Sequence, residues 1–165
     1  MDRLILFRHA KAEADAPSGD DFDRPLSARG LREAQAMAGQ LAPLSLRPQV
    51  ALVSPALRTR QTWEALEQAA PAGEVRFDRA LYNADAGDLR RLAEEACAGP
   101  GAVMVVGHNP GLQDLAVRLL LEAGGPAGFI AKASRAFPPA AAAMFGFDAH
   151  GRPVADGLYY PEREA

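Results

Sequence analysis

Short apolar runs alternate with amphipathic stretches along this chain. Residues 4–7 (Leu-Ile-Leu-Phe), 50–53 (Val-Ala-Leu-Val), 103–106 (Val-Met-Val-Val) and 143–147 are continuous apolar segments of four or five residues, and residues 75–77 form a weaker one. Runs of that length are expected to be buried strands. The intervening segments carry apolar residues at helical spacing. Leu31, Ala34, Ala38 and Leu41 form one stripe; Thr59, Trp63, Leu66 and Ala70 a second; Leu89, Leu92, Ala93 and Ala96 a third; Leu112, Leu115, Leu119 and Leu120 a fourth. Core packing accounts for these stripes, Trp63 included. Strands alternating with helices predict an α/β domain built on a mainly parallel sheet. Neither a repeat nor a linker interrupts the pattern, so one domain over residues 1–165 is expected. Residues 12–23 read as a polar loop with Pro17 and Gly19, and residues 124–139, rich in Gly and Pro, as irregular.

Composition narrows the class. The hydrophobic share is 48% and the charged share 24%, ordinary for a globular protein, and the net charge of -3 speaks against nucleic acid as a partner. A lone cysteine, Cys97, rules out a disulfide within the chain and argues against a cysteine zinc site. It reads as a partly buried thiol in the third helical stripe. The N-terminal apolar run is too short for a signal-peptide core, and nothing approaches the ~20 apolar residues that span a bilayer. The expectation is a cytoplasmic protein with no membrane contact.

Candidate chemistry stands where three of the apolar runs end. Residues 4–7 lead into Arg8-His9, residues 50–53 into Ser54-Pro55-Ala56-Leu57-Arg58, and residues 103–106 into Gly107-His108-Asn109-Pro110-Gly111. Ligands of open α/β sheets bind outside the carboxyl ends of the strands. Ser54-Pro55 and Asn109-Pro110 also read as helix starts, with Ser or Asn as N-cap and Pro at the first helical position. The convergent groups are cationic: two guanidinium groups, which fit phosphate oxygens bidentately, and two histidines. Charge of that sign suits phosphoryl transfer, and it keeps a nearby imidazole neutral and nucleophilic. One ring nitrogen would attack phosphorus while the other donates to a carbonyl. The acidic residues Asp20, Asp21 and Asp23 fit no calcium loop and read as a solvated loop, Arg24 and Arg29 as entrance or surface residues, Gly30 as a turn before a helix at Leu31, and His150 as a turn residue. Close His-x-His or His-Glu-x-x-His spacing, the mark of a two-histidine metal site, does not occur.

Together these motifs resemble the histidine phosphatase superfamily, and most closely its small SixA-type branch of phosphohistidine phosphatases. Leu6-Phe7-Arg8-His9-Ala10-Lys11-Ala12 is similar to the family's Arg-His-Gly motif, with Ala10 replacing glycine. The segment Asp23-Arg24-Pro25-Leu26-Ser27-Ala28-Arg29-Gly30, the block Ser54 to Thr62 and the block Val106 to Gly111 resemble the motifs that follow. The resemblance implies a three-layer α/β/α sandwich of the phosphoglycerate mutase-like type, acting without a metal or other cofactor. It implies that His9 accepts the phosphoryl group, that Arg8 and Arg58 hold its oxygens, and that His108 completes the pocket. A phosphohistidine-containing protein is the implied substrate. A small phosphate ester hydrolysed at the same site, and a non-catalytic phosphate-binding module, are the alternatives. Larger members of the family place a carboxylic acid, often Glu, after the second arginine block. Residues 81–88 here contain no Glu. Asp85 or Asp88 is a possible general acid, although Asp88 also suits a helix N-cap before Leu89. A weak acid favours a phosphorylated imidazole, whose leaving nitrogen needs less help than an alkoxide.

Overall fold

The computed structural model describes residues 1–162. Six strands form its sheet: β1 (Arg3–Arg8), β2 (Val50–Val53), β3 (Glu74–Phe77), β4 (Ala102–Gly107), β5 (Ala142–Phe147) and β6 (Pro153–Tyr159). The helices are α1 (Ala28–Leu41), α2 (Leu57–Leu66), α3 (Ala86–Ala96), α4 (Gly111–Glu122) and α5 (Ala127–Arg135), with short 3-10 turns at Asp21–Asp23, Ala42–Leu44 and Arg79–Leu81. Strand order is β3-β2-β4-β1-β5-β6. The first four strands run parallel, β5 is antiparallel to β1, and β6 to β5.

The central strands are apolar throughout because both faces are covered. Side chains alternate across a strand, so Leu4 and Leu6 enter the core shared with α3, α4 and α5, while Ile5 and Phe7 enter the core beneath α1 and α2. Val103 and Val105 of β4 join the first core, and Met104 and Val106 the second. The result is the expected three-layer α/β/α sandwich. Register then levels the strand ends: Phe7 and Val53 both pair with Val106. The residues that follow β1, β2 and β4 therefore emerge side by side.

All five expected strands and all four expected helices are present; the differences lie at the ends and edges. Residues 124–139, expected to be irregular, contain α5: Gly124, Gly125, Pro126 and Pro138 flank it, and the one glycine inside it, Gly128, lies in its first turn. Strand β6 went unpredicted: it begins with a proline and carries Asp156 and Gly157, a pattern tolerated on an edge. Neither expected Ser or Asn cap forms. Helix α2 starts at Leu57 with Ala56 as N-cap, and α4 starts at Gly111 with Pro110 as N-cap, neither with a side-chain capping bond. Gly30 lies within α1, whose N-cap is Ser27. A Cβ on Gly30 would stand 1.9 Å from the Lys11 carbonyl oxygen, so close approach to the loop after His9, not turn formation, requires glycine.

Candidate active site

Four side chains converge at the levelled strand ends. Arg8 is the last residue of β1 and His9 follows it. Arg58 is the second residue of α2, and His108 follows β4. The His9 and His108 rings lie 5.3 Å apart, centroid to centroid. All four residues expected to form the pocket are thus brought together.

His9 is buried, and its Nδ1 is 2.7 Å from the Ala10 carbonyl oxygen. A carbonyl only accepts, so Nδ1 carries the proton and Nε2 keeps its lone pair. The backbone holds the residue firmly: His9 N–H donates to the Gly107 carbonyl, and Ala10 N–H donates to Thr62 Oγ1 at 3.0 Å. Thr62 Oγ1 in turn donates to the Arg58 carbonyl at 2.7 Å, tying the His9 loop to α2. Burial lowers the His9 pKa to about 3, aided by His108, Arg58 and Arg8 and opposed by the Ala10 bond. His108 is lowered to about 4, by burial first and the Arg58 charge next. Both rings are neutral at pH 7. Arg58 Nη2 lies 3.4 Å from His108 Nδ1, and His108 Nε2 lies 2.7 Å from Ser54 Oγ. Arg58 can only donate, so His108 Nε2 carries the proton and donates to Ser54. Ser54, read in the sequence as a helix cap, is fully buried and orients His108 instead.

The guanidinium groups are incompletely satisfied. Arg8 Nη1 donates to the Phe137 carbonyl at 2.9 Å, but the buried Nε of Arg8 and of Arg58 have no partner, nor does Asn109 Oδ1. An unmatched buried donor costs ~1–3 kcal/mol. Burial and the neighbouring Arg58 charge also lower the Arg8 pKa. Two cations held close together with unused donors form a site for an anion. The cleft between α1 and α2, about 340 Å³ and lined by Leu26, Leu31, Gln61 and Ala65 among others, contains no basic side chain and offers an anion nothing comparable.

The rim was not legible in the sequence. Asp21, read as part of a solvated loop, reaches the pocket. Arg58 Nη1 donates to the Asp21 carbonyl at 2.8 Å and Nη2 to the Asp21 carboxylate at 3.1 Å. The Tyr82 hydroxyl donates to the same carboxylate oxygen, Oδ2, and Arg24 Nε donates to Oδ1 at 2.9 Å. The Tyr82 bond first, then Arg58 and Arg24, hold the Asp21 pKa down to about 2, and the same bond raises that of Tyr82. Tyr82 meets His108 edge-on at 5.5 Å and Phe22 at 5.3 Å. Tyr82 lies in residues 81–88, where the resemblance places a Glu, and a single tyrosine there carries no distinguishing signal.

The two acids expected from the sequence have other partners. Asp85, not Asp88, is the N-cap of α3, accepting from the Asp88 N–H at 2.8 Å. Asp88 pairs with Arg91 on the exposed face. Arg24 reaches the rim through Asp21, whereas Arg29 pairs with Glu33 within α1. Among the described residues, no group of three His, Cys, Asp or Glu side chains could hold a metal ion. Among the same residues, no helix is long and apolar enough to cross a membrane.

An anion pocket at the carboxyl ends of β1, β2 and β4, flanked by two histidines, defines the phosphate-handling class of phosphoglycerate mutase-like folds. The chain belongs to the histidine phosphatase superfamily: residues 4–111 match the profile of its branch 1. An uncharacterized chloroplastic protein of Arabidopsis thaliana is 32% identical over 127 residues, which cover 71% of this chain and 58% of that protein. The chain thus spans little more than half the length of that relative. The crystal structure of a protein assigned as phosphohistidine phosphatase SixA from Agrobacterium tumefaciens superposes with a TM-score of 0.82 at 31% identity, covering 97% of this chain and 99% of that one. The protein histidine phosphatase SixA complexed with tungstate superposes with a TM-score of 0.70 at 25% identity, covering 94% and 95%.

Proposed function

We propose that this phosphatase works through a covalent phosphohistidine at His9 and acts on phosphohistidine in a protein. The observation that carries the reading is the state of His9. Its Nδ1–H is committed to the Ala10 carbonyl, which leaves Nε2 as a neutral nucleophile beside two guanidinium groups whose buried Nε donors are unused. Attack of Nε2 on phosphorus forms the N–P bond as the bond to the leaving group breaks. Arg8 and Arg58 balance charge on the equatorial oxygens, and His108 completes the pocket. Water then attacks the phosphoenzyme, releases inorganic phosphate and restores His9. The guanidinium groups supply the positive charge that a metal supplies elsewhere, so the reaction proceeds without one. Two relatives in the SixA group support the target: one is a protein histidine phosphatase and one is assigned as a phosphohistidine phosphatase. Only residues 78–85 separate β3 from α3, which leaves little chain for a cap over the pocket and supports access by a protein side chain.

The test is to incubate the protein with a labelled phosphodonor, quench rapidly and examine the adduct. An acid-labile, base-stable phosphoenzyme that disappears in His9→Ala is expected. Turnover that survives in His9→Ala, or that a chelator abolishes, overturns the mechanism. Phosphate binding without any adduct would assign the chain to the non-catalytic alternative. A phosphohistidine protein compared with an aryl phosphate then decides the substrate class.

A further inference from the structure

A negative group at the mouth of a phosphate pocket requires an explanation. The Asp21 carboxylate is bonded to Arg58, the residue that must also hold the phosphoryl group, and it is more than half exposed while Arg58 is buried. An anion there repels a dianionic phosphate ester. It favours a substrate that carries an N–H, or a positive charge, one ring away from phosphorus. The ring contacts place it suitably: His9 packs against His108, and His108 against Tyr82, whose hydroxyl holds Asp21. Asp21 thus stands at the rim of the pocket, bonded both to Arg58 and to the tyrosine that packs on His108.

We propose that Asp21, held by Tyr82, Arg58 and Arg24, is a specificity-determining residue whose carboxylate accepts the distal N–H of a phosphorylated imidazole and keeps that ring protonated as it leaves. The proposal rests on the phosphatase mechanism given above. The step balances without a general acid. The substrate ring carries a proton on its distal nitrogen and the phosphoryl group on the other. His9 Nε2 forms its bond to phosphorus, the substrate N–P bond breaks, and its electron pair stays on the substrate nitrogen. The departing imidazole is neutral and keeps its distal proton, while phosphorylated His9 becomes the cationic ring with its Nδ1–H on the Ala10 carbonyl. The two imidazoles exchange roles, each with an N–H held by an oxygen acceptor, Asp21 on one side and Ala10 on the other. An alcohol leaving group has no distal N–H to offer, and ionised Asp21 has no proton to give it. The charge at Asp21 therefore separates the two substrate classes.

The experiment measures kcat/KM for phosphoimidazole and for an aryl phosphate with the wild type and with Asp21→Asn, Asp21→Ala and Asp21→Glu. The expected result is a fall of about tenfold or more in the phosphoimidazole to aryl phosphate ratio for Asn and Ala, with recovery of part of it in Glu, which restores the charge. The alkaline limb of the phosphoimidazole pH profile moves to lower pH in Asp21→Asn, because the bound cationic ring loses its counter-charge. Both readouts are independent of a merely structural role, since displacement of Arg58 lowers both substrates together. A ratio that stays within about threefold of wild type in both Asn and Ala overturns the role of Asp21. Its failure is distinct from failure of the mechanism, which would appear as a wild type that hydrolyses neither substrate and forms no adduct at His9.

Discussion

The floor and the rim of the pocket are built on opposite physical terms. The floor (Arg8, His9, Arg58 and His108) is buried at His9 and Arg58 and partly buried at Arg8 and His108, and it stands at the ends of β1, β2 and β4. Its histidines are neutral because burial and two guanidinium groups oppose a further charge. The rim (Asp21, Phe22 and Tyr82) stands on a loop and a 3-10 turn, exposes the Asp21 carboxylate, and holds its charge because it is paired. Under the proposed mechanism, the floor binds and transfers any phosphoryl group that reaches it. The rim is where one leaving group can be told from another. The proposal thus puts nucleophile chemistry on the rigid scaffold, and selectivity on the side chains most easily changed without disturbing it.

The sharpest way to break this division is at the floor. His9→Ala should lower kcat/KM by ~10⁴-fold or more and remove the phosphoenzyme, as loss of a nucleophile does elsewhere; quantitative adduct trapping checks it. Arg58→Ala should cost ~10²–10³-fold, and Arg58→Lys should recover little, because a point charge cannot replace the fork that serves both phosphate and Asp21. Steady-state kinetics on an aryl phosphate checks both variants. The rim substitutions at Asp21 come next, with the shift of about tenfold in substrate preference described above.

Acidification separates floor from rim by sign and range. His9 and His108 have folded pKa values of about 3 and 4, below the ordinary histidine value of 6.5. Between roughly pH 6.5 and 3 the unfolded chain therefore binds more protons, and unfolding free energy falls as pH falls, by on the order of several kcal/mol in all. Asp21, lowered to about 2 from 3.8, contributes stability that is lost only below about pH 4. Denaturant titrations from pH 7 to pH 3 should show the histidine-linked loss first, reduced in His108→Ala. Adduct formation, by contrast, should persist at pH 5, since His9 is still neutral there. The smallest effect is expected at Asp85: replacing this cap with Ala should cost ~1 kcal/mol of stability and leave the rate of phosphoryl transfer without the ~10²-fold loss that removal of a general acid produces. Thermal melts together with burst kinetics test both halves.

Legibility followed the same division. The floor was readable because each residue lies within five positions of the end of an apolar run, and an apolar run fixes where a buried strand ends. Arg8-His9 and Gly107-His108 needed only that the strands be parallel neighbours, which the alternation of strands and helices already implied. The rim was not readable because Asp21 and Arg58 are 37 positions apart and Asp21 and Tyr82 are 61 apart. Nothing local distinguishes an acidic residue that pairs across a pocket from one in solvent. Ser54 misled for the related reason that Ser before Pro is a local cap signal, while its bond to His108 joins the ends of two neighbouring strands 54 positions apart. Residues 124–139 misled because the breakers that bound α5 resemble breakers that dissolve it.

By itself the sequence determined the α/β alternation, the cores on the two faces of the sheet, and the identity of the four floor residues, since these depend on periodicity and on neighbours in the chain. The tertiary structure alone decided the register that levels β1, β2 and β4, the tautomers of His9 and His108, and the placement of Asp21 against Arg58 and Tyr82. Each of those depends on pairings between distant segments, whose energies arise only when folding removes water from the groups that meet.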